Sequence, residues 1–172
     1  MRKKLSAALL LCLVALMSTI MTPAGYALNW RSRAYVRGTF DYTYQWLRED
    51  IVVGEKTFKF AEEWETWLGD LAGAGHAFFI VMVDPDSGFV EVVLLSVHET
   101  VVDGKEGTVV IRLVGKKPIG GEWFGSWVIL SGTGELENLR GQGIWRGPGY
   151  EGPDIPGERP DIYYSGHIRF IR

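Results

Sequence analysis

SGTGELENLRGQGIW, residues 131–145, gathers four glycines around one short polar segment. Its Gly-x-Gly start allows two readings, a loop that cradles phosphate or a connector between strands. A dinucleotide loop needs G-x-G-x-x-G between a strand and a full helix. Here Glu137 stands where the third glycine belongs, and ELENLR is only about one and a half helical turns. Glu135 and Glu137 also put negative charge where a phosphate would have to bind. The connector reading accounts for each residue. Thr133 or Gly134 caps a short helical turn, and Leu136 and Leu139 share a face that plugs the end of a sheet structure. Arg140 complements the helix C-terminus, Gly141 takes the left-handed C′ position, and Gly143 lets the next strand bend or approach closely. The expectation is a strand, a helical plug near 135–140, and another strand.

Outward from this segment the chain reads as strand almost throughout. Segments rich in β-branched and aromatic residues span 34–47, 56–68, 74–83, 88–100, 107–115, 121–130, 141–147 and 161–172. Turn signals separate them, among them DPDSG at 84–88 and VDGKEG at 102–107. Eight strands with short connections and no long helix predict an all-β meander. Closing it into an eight-stranded antiparallel barrel leaves no exposed edge.

Alternation shows the faces. Val36, Phe40, Tyr42, Tyr44 and Trp46 share one parity of the first strand, and Ile162, Tyr164, Ile168 and Phe170 share one parity of the last. FFIVMV and VVLLSV, in the third and fourth strands, are apolar on both faces. Their outer side needs cover from a second subunit or from the loop at 147–161. A homo-oligomer is the favoured expectation.

The N-terminus has the order of an export signal. Arg2, Lys3 and Lys4 precede an apolar run from Leu5 to Met21, then Pro23 and the small-residue stretch AGYA, with a cut after Ala27. A retained single-helix anchor is the alternative, because the apolar run approaches the length of a membrane span. Residues 28–172 then form one domain. Removing the three basic residues leaves 15 Lys and Arg against 21 Asp and Glu, a net charge of −6. Nucleic-acid binding calls for a basic surface and is not expected. Cys12, the single cysteine, leaves with the signal, so the exported domain has no disulfide and no cysteine metal ligand. Leu11 before Cys12 does not fit a lipoprotein cleavage site.

The run SGTGELENLRGQG resembles the G-T-G-x-L-x-x-L-R-G-x-G signature of a domain-of-unknown-function family in the allene oxide cyclase-like barrel superfamily. The superfamily also holds the plant dirigent proteins, with a similar G-T-G-x-F…A-R-G run. GTF at 38–40, VVDGKEG at 101–107 and GSWVILSGTGELENLRGQG extend the match in order, so it covers nearly all of 34–172. The resemblance implies an eight-stranded antiparallel barrel with a hydrophobic cavity, a trimer as in better-known relatives, and no agreed activity. Two departures stand out: the long insertion at 147–161, and Ser96 in the fourth strand where an acidic residue would be looked for.

Candidate chemistry follows from side chains on inward parities. His76, His98 and His167 each stand alone, without the paired spacing of a metal site, so neither a metal nor another cofactor is expected. His98 shares a parity with Val92, Leu94 and Ser96 and is placed in apolar space beside Glu99, either as a satisfied strand-end histidine or as a site group. Glu62 shares the parity of Phe58, Phe60 and Trp64, which would set a carboxylate among aromatics with a raised pKa. The alternative is a bulge at Glu62 and Glu63 that turns both outward. Seven Trp and seven Tyr point to a cavity lining or to a filled interior. The ligand-cavity set is therefore Tyr42, Tyr44, Glu62, Trp64, Ser96, His98 and Trp127. The insertion holds four of the seven prolines and reads as a stiff lid carrying Tyr150, Asp154 and Arg159, or as a tolerated surface loop. Three functions remain open: a secreted binder of a small apolar ligand, which is favoured; a cyclase, isomerase or dirigent-like enzyme acting on an apolar intermediate; and a structural protein of the cell envelope with a filled barrel.

Overall fold

In a computed structural model, residues 33–148 and 162–171 are described. The signal or anchor segment and the lid residues Tyr150, Asp154 and Arg159 lie outside them. The described chain is all-β. Its strands are β1 (Ala34–Trp46), β2 (Ile51–Val53), β3 (Lys56–Gly69), β4 (Gly73–Asp84), β5 (Phe89–Val102), β6 (Lys105–Pro118), β7 (Trp123–Gly132), β8 (Leu139–Gly147) and β9 (Ile162–Phe170). They form a single antiparallel sheet in the order β1-β9-β8-β7-β6-β5-β4-β3-β2. β1 also pairs with β3, from Gly38 opposite Gly69 to Trp46 opposite Ala61, so eight strands close a ring. The three-residue β2 rides on the start of β3. Closure gives the backbone of both terminal long strands a partner and leaves only β2 as a short edge.

The helical plug is corrected. Residues 134–136 form a single 3-10 turn, and Leu139 and Arg140 already belong to β8. Thr133 makes no side-chain cap; its amide bonds instead to Thr108 O at 2.8 Å. The strand pairing claims these backbone groups first, which leaves no room for a longer helix. Leu136 and Leu139 are nevertheless both fully buried at one end of the ring. Gly134, at φ +60°, supplies the left-handed conformation that starts the turn.

At the same end the turn after β3 folds inward. Leu71 is buried there, its amide donates to the Tyr164 hydroxyl at 2.9 Å, and that hydroxyl donates to Leu68 O at 3.1 Å. Thr100 Oγ1 holds Ala72 O at 2.8 Å. Buried polar groups with partners on three strands pin the turn in one position.

Two tryptophans fill the middle of the ring, and glycines on nearby strands of the sheet make space for them. A Cβ at Gly143 or Gly166 would lie 2.6 Å or 2.5 Å from the Trp127 ring. A Cβ at Gly115 or Gly125 would lie 2.3 Å or 2.6 Å from Trp145. Their indole N–H groups donate to main-chain oxygens, Trp127 to Ser165 and Trp145 to Val114 and Ser126. Gly143, the second glycine of GQG in the opening stretch, is thus part of the seat for the Trp127 indole.

The outer faces of β4 and β5 are apolar as the sequence implies: Phe78 faces Leu95 across the strands, and both stand about half exposed, with Val97 beside them.

Candidate functional site

The ends of the ring differ. Leu71, Leu136 and Leu139 close one of them. Toward the other lies a cavity of about 190 Å³, bounded by residues from every long strand. Tyr42, Tyr44 and Trp46 come from β1, Phe79 and Val81 from β4, Val92 and Leu94 from β5. Leu113 and Lys117 come from β6, Trp123 from β7, Trp145 from β8 and Ile162 from β9. Tyr44 meets Trp46 and Phe79 edge to face, with ring centres 5.1 Å and 5.9 Å apart, the arrangement that aromatic quadrupoles favour. The Lys117 ammonium lies 5.5 Å from the Trp123 ring centre. Glu63 of β3 completes the wall.

The carboxylate in the cavity is therefore Glu63, where the sequence pattern pointed to Glu62. β3 pairs with β4 without a slip from Thr57 to Trp67, so no bulge intervenes. The inward parity is Ala61, Glu63, Glu65 and Trp67; Glu62 and Trp64 face outward, and Trp64 is 46% exposed. Trp67 fixes this register: it stacks on Phe40 with ring centres 4.6 Å apart and is almost fully buried. Burying so large a side chain stabilises by roughly 1.5–3 kcal/mol, and its partner on β1 is set by the ring closure. On the outside Glu62 bonds to the Gln45 side chain and lies 3.4 Å from His76, which stacks on Trp64.

Below Glu63 lies a polar group that runs across three strands. Ser96 Oγ donates to Glu65 Oε2 at 2.5 Å, and Trp67 Nε1 donates to the same oxygen at 3.1 Å. Burial pushes the Glu65 carboxyl above the usual range, against hydrogen bonds from Ser96, Glu63 and Trp67 that favour the ionised form. His98, fully buried, approaches Leu71 O at 2.9 Å through Nε2. A carbonyl only accepts, so Nε2 carries the hydrogen. Nδ1 has no partner, and burial holds the imidazole below its ordinary pKa, hence neutral. Burial likewise raises the Tyr164 phenol.

Of the residues singled out from sequence, Tyr42 and Tyr44 line the cavity, and Ser96 and His98 lie in the polar group beneath it. Trp127 is a core residue away from the lining. The pattern missed Glu63, Glu65 and Lys117. The signal for the first two was Trp67: counting back by twos from the tryptophan nearest the hairpin gives the inward set. The three histidines are scattered, His98 inside and the other two on outer faces, and among the described residues no three His, Cys, Asp or Glu side chains group to hold a metal ion. A larger, shallow groove of about 730 Å³ crosses the outer face of β1, β9 and β8 past Arg37, Arg146, Tyr35 and Tyr163. Tyr35 and Tyr163 in it stand more than half exposed, whereas Glu63 and Lys117 in the cavity are buried, so the cavity is the stronger candidate for a small ligand.

Comparison with known proteins agrees with this architecture and is silent on chemistry. Among curated proteins no match is found. A crystal structure from Shewanella oneidensis MR-1, described as a protein of unknown function from the DUF3224 family, superposes with a TM-score of 0.63 at 17% identity. The superposition covers 81% of this chain and 98% of that one, and at this identity it speaks for the fold alone. The model of the family described as "Protein of unknown function (DUF3224)" matches residues 36–146, from the first strand to the end of the glycine-rich segment. The chain belongs to the DUF3224 family.

Proposed function

We propose that the ring is a β-barrel of the allene oxide cyclase-like kind that holds a small, mainly apolar molecule in its cavity. The observation that carries this reading is the half-open cavity of about 190 Å³ with the buried Glu63 and Lys117 in an otherwise aromatic and aliphatic wall. A cavity of about 150 Å³ already admits benzene, so a single ring with a short substituent fits. Placing charges in a buried wall costs several kcal/mol per ion, and packing alone gives no reason for it. Orienting a ligand does. Titration with single-ring compounds, followed by tryptophan fluorescence, tests the reading. Saturable binding is expected, and Val92→Phe, which fills the space, abolishes it. Binding that survives the filling rejects it.

A second reading, an isomerase-type or dirigent-like enzyme, draws support from Glu63 alone, a carboxyl in the same cavity able to act as general acid or base. A Glu63→Gln protein that binds a ligand but no longer converts it supports that reading, and equal turnover by both proteins rejects it.

The basic and apolar N-terminal segment supports export to the cell envelope or beyond. The apolar outer face of β4 and β5 supports a homo-oligomer. Leu95→Lys then shifts the mass in solution to that of a monomer, and a wild-type monomer at micromolar concentration rejects the assembly.

A further inference from the structure

Glu62, Phe78, Leu95 and Arg112 stand side by side in one row across β3, β4, β5 and β6, because the registers pair each with the next. All four lie on the outer face, since the residues before and after each of them are buried. The row is charged at its ends and apolar in its middle. On one side the next outward row is Phe60, Ile80, Val93 and Val114. On the other it is Trp64, His76, Val97 and Val110.

Arg112 lacks a partner in this setting. Its Nε is buried and makes no hydrogen bond among the described residues. Its row neighbours are Leu95 and Val128, and the outward residues two along its own strand are Val110 and Val114, so no acid stands beside it. A charged donor left dry and unpaired is more costly than a neutral one. At the far end of the row Glu62 has acceptor capacity to spare. Gln45 bonds to its Oε1, and His76 lies 3.4 Å from its Oε2, longer than an ordinary N–H···O bond. A carboxylate offers about four lone-pair positions.

One surface packed face to face on a copy of itself is related to that copy by a two-fold axis in the contact plane. An axis laid across the strands through this row would set Glu62 on Glu62 and Arg112 on Arg112. An axis along the strands between β4 and β5 sets Glu62 on Arg112, twice. The same axis lays Phe78 on Leu95 and Trp64 on Val110, and the strands of the two sheets run nearly aligned, as in packed sheets. The pattern is therefore complementary to itself in one arrangement. A ring of three joins two different patches and has no use for such a match.

We propose that the outer face of β3–β6 is the interface of a two-fold dimer of this chain, in which Glu62 of each copy pairs with Arg112 of the other around a Phe78–Leu95 centre. This rests on the homo-oligomer reading above and gives it a symmetry.

Analytical ultracentrifugation of the full chain, with native mass spectrometry of mixtures, tests it. The wild type sediments as a dimer. Glu62→Arg and Arg112→Glu each raise the dimer Kd about a hundredfold or more, because like charges then meet twice. An equimolar mixture of these two variants forms a dimer holding one chain of each, and the doubly exchanged chain dimerises again. Should a reversed variant not fold, Glu62→Gln and Arg112→Met replace it. Each weakens the dimer, and together they weaken it no more than the stronger one alone. A wild-type trimer overturns the proposal, as do a dimer that survives both reversals, a mixture that stays monomeric, or additive effects of the two milder changes. An assembly broken by Leu95→Lys but untouched by the reversals keeps the homo-oligomer reading and rejects this two-fold arrangement. A wild-type monomer at micromolar concentration removes both.

Discussion

The Ser96 hydroxyl reaches Glu65 Oε2 at 2.5 Å over the intervening strand β4, where Gly75 leaves the gap between them. A Cβ at that glycine would lie 2.5 Å from the carboxylate oxygen and 2.9 Å from the hydroxyl. Gly75→Ala therefore destabilises by about 1–3 kcal/mol, through overpacking and a broken buried hydrogen bond. Urea unfolding measures it. A loss no larger than that of an exposed substitution on β5 would show that the contact is dispensable.

Glu65 gives stability a pH dependence of definite sign. Its folded pKa is raised above the ordinary 4.5, so the native chain holds more protons than the unfolded one between those values. The contribution is whole below about 4.5 and is lost as pH rises through the folded value. Glu65→Gln keeps the acid's hydrogen bonds and cannot ionise. The melting temperature of the variant minus that of wild type grows with pH across this window; a difference that stays flat would mean that Glu65 is already ionised.

His98 acts in the opposite direction. Its folded pKa lies below the ordinary 6.5, so on acidification the unfolded chain takes up a proton first. Stability is whole above about 6.5 and falls as pH drops through the folded value. His98→Leu removes this acid limb and costs about 1–3 kcal/mol at neutral pH, because Leu71 O loses its donor. Melting curves recorded from pH 7 downward decide, and an acid limb that persists in the variant would assign it to another group.

Trp145 and Gly115 are coupled through space. Gly115→Ala puts a methyl 2.3 Å from the indole and costs about 1–3 kcal/mol. In a Trp145→Phe background the same change costs less, a coupling of about 0.5–3 kcal/mol in a double-mutant cycle. Additive effects would place the clash elsewhere.

Strand positions were legible because alternation and turn residues are local, and β1 and β9 present the faces that their parity predicts. β3 was harder. It carries aromatics on both parities, and only the long-range stacking of Trp67 on Phe40 decides which set goes inside. A shift of one residue in that reading exchanged Glu62 for Glu63 and Trp64 for Trp67. Ser96 looked like a missing acid on its own strand, yet the carboxyl arrives from β3 two strands away, a relation set by register across β4 that no local spacing encodes. The plug had the right leucines and the wrong backbone, because strand pairing competes with helix for the same amides.

The size of the chamber is set by side chains and not by the number of strands. Trp127 and Trp145 occupy the middle of the ring only because four glycines on neighbouring strands give up their own side chains to seat them. Exchanging Trp145, the indole of the pair that lines the chamber, for a smaller residue would enlarge it while leaving every strand pairing in place. Glycines scattered over four strands, Gly143 of the opening stretch among them, thus set how much of the interior the indoles fill, and one substitution changes that volume without redesigning the sheet.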